Sequence, residues 1–330
     1  MLQRRMRLRP ALLVLVAAAL VAAGCGGGGE DRPERAATLV LDFAPNAVHS
    51  GIYVAKAHGY DEAEGVDLRV RVPSASTEGL KLLLAQRADF AVLDIHDLAL
   101  ARQQGRDVVG ILPLVQRPLA AVLAQPSIAS PRDLQGRSAG VTGVPSDSAV
   151  LHSIVRGAGG APARVREVTI GFNAVQALLG GRVAAATAFW NVEGVALRAR
   201  RPRTREFRVD DYGAPGYPEL VVVATRRTLD EQPALARATV AALVRGYTQV
   251  LSDPESAVED ERRAVPDLDR AQLQAQLDAV APAFVGNAPR FGALQPRVLA
   301  AWAQWEARFG IVRRPPVIAT TFDPSFLPRP

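Results

Sequence analysis

Short apolar runs alternate with helical patterns along most of this chain, and this alternation constrains the fold more than any other feature. Residues 38–43 and 90–95 are apolar runs typical of strands, and the segments 46–58 and 97–104 that follow them have helical periodicity. Strands that alternate with helices build sheets covered by helices. The sequence therefore predicts an α/β protein.

The alternation comes in two successive runs, which predicts two lobes with a cleft between them. A strand at residues 119–124 opens the second run, and the pattern beyond Pro233 is helical to about Phe309. We expect one lobe to comprise residues 38–118 and 219–330, and the other residues 119–218. Ligands of open α/β sheets lie outside the carboxyl ends of the strands. The loops expected at the cleft follow Phe43, Val72, Ile95, Val141, Ile170 and Phe189.

Composition excludes several classes of protein. The 330 residues are 48% hydrophobic and 22% charged, which suits a chain with a substantial core rather than a disordered one. Cys25 is the single cysteine, so the chain can form no internal disulfide and no cysteine-based zinc site. Arginines at positions 4, 5, 7 and 9 account for most of the net charge of +6, and the others are dispersed among acids. We therefore expect no binding to nucleic acid.

The N-terminus resembles a bacterial lipoprotein signal peptide. Residues 4–9 are basic, residues 11–21 are apolar, and Ala22-Ala23-Gly24-Cys25 forms a small-residue cleavage site. We predict a signal peptide over residues 1–24, a lipid on Cys25, and a glycine-rich tether over residues 25–37. The mature protein would then be extracytoplasmic, anchored on the periplasmic or extracellular face of the membrane. The alternative is an ordinary secretory signal with an incidental cysteine.

Polar and aromatic residues after the first predicted strand are candidates for ligand binding. Asn46, His49 and Tyr53 follow Phe43, and the last two are four residues apart on one helical face. Each also has a structural interpretation, because Asn46 is a good helix cap and a tyrosine on an inner face is commonly core.

Three further candidates follow later strands. His96 comes directly after a strand, although it fits a surface loop equally well. Gly143 and Ser146 lie at a predicted helix start, where backbone N–H groups attract polar acceptors. That signal is common and weak by itself.

The strongest local pattern is Phe189-Trp190-Asn191-Val192-Glu193, at a strand end that leads into a helix. Aromatic rings beside a carboxylate suit a flat ring that carries amino groups, because a ring can stack while the carboxylate accepts hydrogen bonds. The competing interpretation is a buried Trp190 and a Glu193 that favours the helix N-terminus.

Several motifs together resemble the solute-binding proteins for thiamine pyrimidine precursors, over residues 38–254. The opening motif is Leu41-Asp42-Phe43-Ala44-Pro45-Asn46, followed by His49 and Gly51-Ile52-Tyr53-Val54-Ala55. The most specific later ones are Val168-Thr169-Ile170-Gly171-Phe172-Asn173 and Trp190-Asn191-Val192-Glu193. The resemblance implies a two-lobed periplasmic-binding-protein-like fold of type II, with the ligand between the lobes. It also implies delivery of an aminopyrimidine, of hydroxymethyl or formylaminomethyl type, to an ABC permease and its ATPase.

The resemblance also assigns roles to residues. It implies that His49 is the motif histidine, that Glu193 meets the pyrimidine amine, and that Phe43, Tyr53 and Trp190 are aromatic walls. The complete set of expected ligand-binding residues is Phe43, Asn46, His49, Tyr53, His96, Gly143, Ser146, Asn173, Trp190 and Glu193. Two positions depart from the family pattern: Phe43 replaces a tryptophan and Ala184 replaces an aspartate. We expect a monomer that uses no cofactor and no metal and catalyses no reaction.

Two alternatives stay open. A binding protein for an alkanesulfonate, nitrate or another small anion would need arginines or bare helix N-termini in the cleft. A pyrimidine synthase of the fungal type, related to the same family, would need a pyridoxal-linked lysine, for which Lys56 and Lys81 are the candidates. That type also carries a cysteine-rich iron-binding stretch, which a chain with one cysteine cannot supply.

Replacing Cys25 tests the anchor. Because the lipid would be attached through this thiol, Cys25→Ser should release the protein from membranes or leave the precursor uncleaved. Fractionation of cells that express the variant, with immunoblotting for precursor and mature chain, measures both outcomes. A variant that stays in the membrane fraction with a processed signal would contradict the lipoprotein interpretation.

Overall fold

A computed structural model describes residues 35–75 and 77–329. The predicted signal peptide, Cys25 and the tether up to residue 34 lie outside the described residues. The first strand begins at Arg35, three residues before the predicted start, because residues 35–37 already pair with residues 66–68. Residues 35–37, which the sequence predicts to be part of the tether, form the start of β1.

Within these residues, strands and helices alternate as the sequence predicts. The strands are β1 (Arg35–Val40), β2 (Val66–Arg71), β3 (Phe90–Asp94), β4 (Val108–Pro113), β5 (Ala120–Ala124), β6 (Ser138–Val141), β7 (Arg166–Thr169), β8 (Ala185–Phe189), β9 (Arg205–Arg208) and β10 (Leu220–Thr225). The α-helices are α1 (Ser50–Ala57), α2 (Tyr60–Ala63), α3 (Glu78–Leu84), α4 (Ile95–Gln103), α5 (Pro145–Gly157), α6 (Ala174–Leu179), α7 (Glu193–Arg200), α8 (Arg226–Glu231), α9 (Pro233–Ser252), α10 (Pro254–Ala264), α11 (Arg270–Val285), α12 (Pro296–Arg308) and α13 (Ile318–Thr321). None of the described helices is long and apolar enough to span a membrane.

The strands form two mixed sheets. The first has the order β2-β1-β3-β10-β4 and the second the order β7-β6-β8-β5-β9. Strand β10 runs antiparallel to both β3 and β4, and β5 runs antiparallel to β8 and β9. The chain thus crosses to the second sheet between β4 and β5 and returns between β9 and β10. This topology confirms the predicted α/β class with two sheets and a helical C-terminal segment, while the predicted lobe boundaries stay a prediction.

The C-terminal helices pack on the first sheet, and one close approach there requires glycine. Helix α9 crosses α1 at Gly246, where a Cβ atom would lie 2.0 Å from the carbonyl oxygen of Gly51. Any side chain at Gly246 would therefore push the two helices apart.

A buried carboxyl group lies between α10 and α1. The Ser50 hydroxyl donates a hydrogen bond of 2.6 Å to Oε2 of Glu261, and Oε1 has no partner among the described residues. Burial raises the pKa of Glu261 to about 8 from a usual 4.5. The neutral acid is therefore the form that the fold favours.

This buried acid makes stability depend on pH. The folded protein holds the Glu261 proton at pH values where the unfolded chain has lost it, so stability falls as pH rises from 4.5 through about 8. Glu261→Gln keeps the acceptor for Ser50 and removes the titration. We expect Tm to rise at pH 8.5, by about 2–4 °C for each kcal/mol regained, and to change little at pH 5.

Thermal unfolding followed by circular dichroism at both pH values measures this difference. Glu255→Gln is the matched control, because Glu255 is exposed in the first turn of the same helix. Equal shifts in the two variants would show that Glu261 does not titrate as described.

Candidate functional site

A cavity of about 100 Å³ lies between the two sheets, at the carboxyl ends of their parallel strands. Cavities for drug-sized ligands are roughly 300–1,000 Å³, so this one suits a single small ring. Segments that follow five of the six predicted strands contribute to its lining, and the first strand contributes through its carboxyl end. The contributing residues, in chain order, include Phe43, Gly79, Asp94, Thr142, Phe172 and Glu193.

Aromatic side chains from both sheets form one side of the cavity. Phe43 follows β1 and Phe172 follows β7, and their rings meet edge to face with centroids 4.4 Å apart. Phe189, the last residue of β8, also lines the cavity. These rings offer apolar surface to a flat ligand and hold the two halves of the cavity together.

Five carboxylates dominate the polar part of the lining. They are Asp42, Asp94, Asp97, Asp147 and Glu193. Among the described residues that line the cavity there is no lysine, arginine or histidine. The cavity therefore favours hydrogen-bond donors and positive charge over anions.

Glu193, the first residue of α7, is one of these carboxylates. Its Oε2 accepts a hydrogen bond of 3.2 Å from the backbone N–H of Phe189. Burial raises the pKa of Glu193 to about 7, and the nearby charges of Asp147 and Asp42 act in the same direction. Near neutral pH this group can thus accept a hydrogen bond as a carboxylate or donate one as an acid.

Asp42 is held in place by His49. Nε2 of His49 lies 2.8 Å from Oδ1 of Asp42, and the backbone N–H of Asn46 donates to Nδ1 over 3.3 Å. Because Nδ1 accepts, the proton of the neutral imidazole lies on Nε2 and points at Asp42. His49 is fully buried and does not line the cavity itself, but it contacts Asp42, which does.

The other three carboxylates are each bonded to a neighbouring polar group. Asp94 accepts from the backbone N–H of His96 over 2.7 Å, and Asp147 accepts from the backbone N–H of Thr142 over 2.7 Å. Asp97 accepts from the Ser146 hydroxyl over 2.7 Å, a bond that joins α4 of the first sheet to α5 of the second.

Burial also shifts the acidity of these three groups. It raises the pKa of Asp97 to about 6 and holds the pKa of Asp94 well above its usual range. The pKa of Asp147 is raised by burial as well. Three desolvated carboxylates on one wall resist full ionisation.

The structure brings some of the predicted residues together. Phe43 and Glu193 line the cavity, and His49 and Ser146 each bond to a carboxylate that does. The side chain of Asn46 caps the turn before α1, as its structural interpretation predicts. Its contribution to the site is the backbone bond to His49.

Trp190 does not line the cavity in this structure. Its indole N–H donates to the carbonyl of Pro118 over 2.9 Å, and the guanidinium of Arg208 lies 4.2 Å from its ring centroid. The indole therefore packs at the crossing between the sheets. Its predicted stacking role stays a prediction that these contacts do not support.

Four other predicted residues also lie outside the lining. Tyr53 is buried among the core side chains of α1, and His96 is fully buried behind the cavity. Asn173 is exposed and donates to the carbonyl of Ile170 over 3.0 Å. Gly143 forms the turn before α5 with φ of +108°, a conformation that favours glycine.

The sequence interpretation missed Asp42, Asp94, Asp97, Asp147 and Phe172 as cavity residues. An aspartate at a helix start is ordinarily a cap, and Asp94 indeed caps α4. The available signal was position, because each lies in the last two positions of a predicted strand or in the segment that follows it. His96, Ser146 and Asn173 were chosen instead, and each is adjacent in sequence to one of the missed residues.

One group behind the cavity has the composition of a metal site. Asp94, His96 and Glu219 place one potential ligand atom each within 4.8 Å of the others. The ring nitrogens of His96 bond instead to Glu306 and to the Tyr217 hydroxyl. Hydrogen bonds within the protein therefore account for the arrangement.

Comparisons with known proteins agree on family and fold. The family model described as NMT1/THI5 like matches residues 46–257. The formylaminopyrimidine-binding protein of Halalkalibacterium halodurans is 30% identical, over 75% of this chain and 76% of that protein. The riboflavin-binding protein RibY of Chloroflexus aurantiacus is 28% identical, over 72% and 69% respectively.

A synthase and two solved structures complete the comparison. The 4-amino-5-hydroxymethyl-2-methylpyrimidine phosphate synthase of Legionella pneumophila is 25% identical, over 70% of this chain and 74% of that enzyme. Alkanesulfonate-binding SsuA of Xanthomonas axonopodis superposes with a TM-score of 0.68 at 15% identity, over 87% and 97% of the chains. SsuA of Escherichia coli gives 0.68 at 17%, over 88% and 92%. These structures show the periplasmic-binding-protein fold, as predicted.

The bond between Ser146 and Asp97 should restrain opening of the cleft. Ser146→Ala removes this bond, and one hydrogen bond contributes about 1 kcal/mol, or roughly fivefold in an equilibrium. We expect amide hydrogen exchange in the ligand-free protein to accelerate about fivefold in the segments that flank both residues. Mass spectrometry of exchanged peptides measures it.

Ser148→Ala is the control for this measurement. Ser148 lies on the same helix, and its hydroxyl donates to Glu167 of β7, so this bond stays within the half that contains the second sheet. If both variants exchange alike around Asp97, the bond between the two halves does not restrain opening.

Proposed function

Because the chain belongs to the NMT1/THI5-like family, we propose that it is the solute-binding protein of an ABC importer for an aminopyrimidine thiamine precursor. It binds the pyrimidine between its two lobes and delivers it to the membrane permease. The observation that carries the proposal is a small cavity with phenylalanine rings, five carboxylates and no basic residue among its described lining.

An aminopyrimidine matches this lining in three ways. Its amino group donates hydrogen bonds, its ring nitrogens accept them, and its faces are apolar. Glu193 suits the first two, because a carboxyl group with a pKa of about 7 exchanges donor and acceptor roles near neutral pH. Phe43, Phe172 and Phe189 suit the ring faces and edges.

The formylaminopyrimidine-binding relative supports this choice of ligand. It is 30% identical over most of both chains, whereas the riboflavin-binding relative is 28% identical. A flavin has three fused rings, and a cavity of about 100 Å³ favours one ring over three. We therefore assign the pyrimidine.

An anion is a poorer match for the same site. The sulfonate-binding proteins share the fold, but at 15–17% identity the likeness extends to the fold alone. A sulfonate or nitrate between Asp97, Asp147 and Glu193 would meet repulsion, with no basic side chain in the described lining to offset it.

A synthase is the rival from another class. Neither Lys56 nor Lys81 lines the cavity, and Nζ of Lys56 bonds to Asp61 over 3.0 Å. His49 is buried and bonded to Asp42. The cavity therefore offers no lysine among its described lining to which a pyridoxal group could be attached. Reversible binding of a ligand needs no such residue, and we infer that the protein binds its ligand without a covalent step.

Location follows from this role. A binding protein of an importer works outside the cytoplasmic membrane, where it meets the permease, and an anchor on Cys25 would hold it there. We expect one copy of the chain to dock on the permease, whose ATPase lies on the other side of the membrane.

Glu193→Gln tests the ligand assignment at one residue. The change keeps the shape of the side chain but removes a charge-assisted hydrogen bond of roughly 1.5–3 kcal/mol, which lowers affinity about 10- to 100-fold. Calorimetric titration with 4-amino-5-hydroxymethyl-2-methylpyrimidine measures the loss. An alkanesulfonate titrated in parallel would bind the variant more tightly if the site were made for anions.

The exposed Glu231→Gln is the control, since it removes a carboxylate from the surface of α8. Circular dichroism should show both variants folded. If Glu193→Gln binds the pyrimidine as tightly as the wild-type protein does, Glu193 does not contact the ligand.

A further inference from the structure

Three of the cavity carboxylates, which we call the acidic wall, are close enough for their charges to act on one another: Asp94, Asp97 and Asp147. Asp94 and Asp97 come from the end of β3 and the start of α4, and Asp147 comes from α5 of the other half. The wall therefore spans both halves of the cavity. A ligand that bonds to it would hold the cleft closed.

Each member of the wall accepts at least one hydrogen bond from the protein. Oδ1 of Asp94 accepts from a backbone N–H, Oδ1 of Asp97 from Ser146, and Oδ2 of Asp147 from Thr142. These bonds fix the orientation of the carboxyl groups. They use neutral donors, so none of them balances a negative charge.

The surroundings of the wall are also acidic. The charge of Glu219 raises the pKa of Asp94, those of Asp147 and Asp42 raise the pKa of Glu193, and that of Glu306 raises the pKa of Asp97. His96 is the one nearby group that carries positive charge among the described residues, and its ring already bonds to Glu306 and Tyr217. The wall thus has more carboxyl groups than cations to pair with them.

We propose that the acidic wall binds a positively charged amine of the ligand, so that the protein prefers aminopyrimidines with a cationic side chain over neutral ones. This inference rests on the proposed function and narrows its ligand class. A protonated aminomethyl group is the simplest such side chain.

In this proposal the two ends of the ligand contact different parts of the cavity lining. The pyrimidine ring lies with Glu193 and the phenylalanine rings, and the ammonium group lies against the wall. Asp147 connects the two places, because its charge acts on both Glu193 and Asp97. A charged donor between these carboxylates forms stronger hydrogen bonds than a hydroxyl does.

Three probes with the same ring separate charge from shape. They are 4-amino-2-methylpyrimidines with aminomethyl, hydroxymethyl or formylaminomethyl at position 5, of which the first is a cation at neutral pH. We expect the aminomethyl probe to bind wild-type protein at least about tenfold more tightly than either neutral probe, by calorimetry at low ionic strength.

Asp147→Asn tests whether the acidic wall causes the preference for the cationic probe. We expect it to weaken the aminomethyl probe about tenfold and the neutral probes less than about threefold. Asp278→Asn is the control for net charge, because Asp278 is exposed on α11. The wild-type comparison stands even if Asp147→Asn fails to fold.

The outcomes separate the two proposals. Equal or tighter binding of a neutral probe to wild-type protein overturns the preference for a cation and leaves the pyrimidine assignment standing. Equal losses for all probes in Asp147→Asn overturn the role of the wall. If none of the probes binds wild-type protein, both this inference and the proposed function fall.

Discussion

The two halves of the cavity depend on one buried carboxylate, that of Glu219. It stands where the chain returns to the first sheet, and its Oε2 accepts the backbone N–H groups of Leu119 and Ala120, where the chain enters the second. Both crossings are thus held at one atom. Glu219 is fully buried, and burial raises its pKa to about 7. A side chain without this acceptor would leave two buried N–H groups unpaired at the junction.

His96 lies close to several of these buried carboxyl groups and compensates part of their negative charge. Burial alone would lower the pKa of His96, but the carboxylates of Glu306 and Asp94 outweigh it and raise that pKa to about 9. The imidazolium therefore supplies positive charge directly behind the cavity. Its charge acts on Asp94 and Asp97, which line the cavity.

The sequence predicted the arrangement of sheets and helices better than it predicted which side chains line the cavity. Periodicity and strand ends identify the two sheets and the segments around the cleft, because burial imposes those patterns over many residues. The orientation of a single side chain is not indicated by any pattern that extends over many residues. Trp190 and Asp94 illustrate this: an aromatic residue at a strand end packs at the crossing, and an aspartate that caps a helix also lines the cavity. Which side of a turn points inward depends on tertiary packing that the local sequence does not specify.

The two departures from the family pattern differ in consequence once they are placed in the fold. Ala184 lies outside the described cavity lining, where its backbone N–H donates to Ser138 between β6 and β8. Phe43 lies in the lining and meets Phe172 across the cleft. A phenyl ring fills less space than an indole and has no N–H donor. Phe43 therefore presents apolar surface and no hydrogen-bond donor to the cavity, and the carboxylates dominate the polar part of the lining.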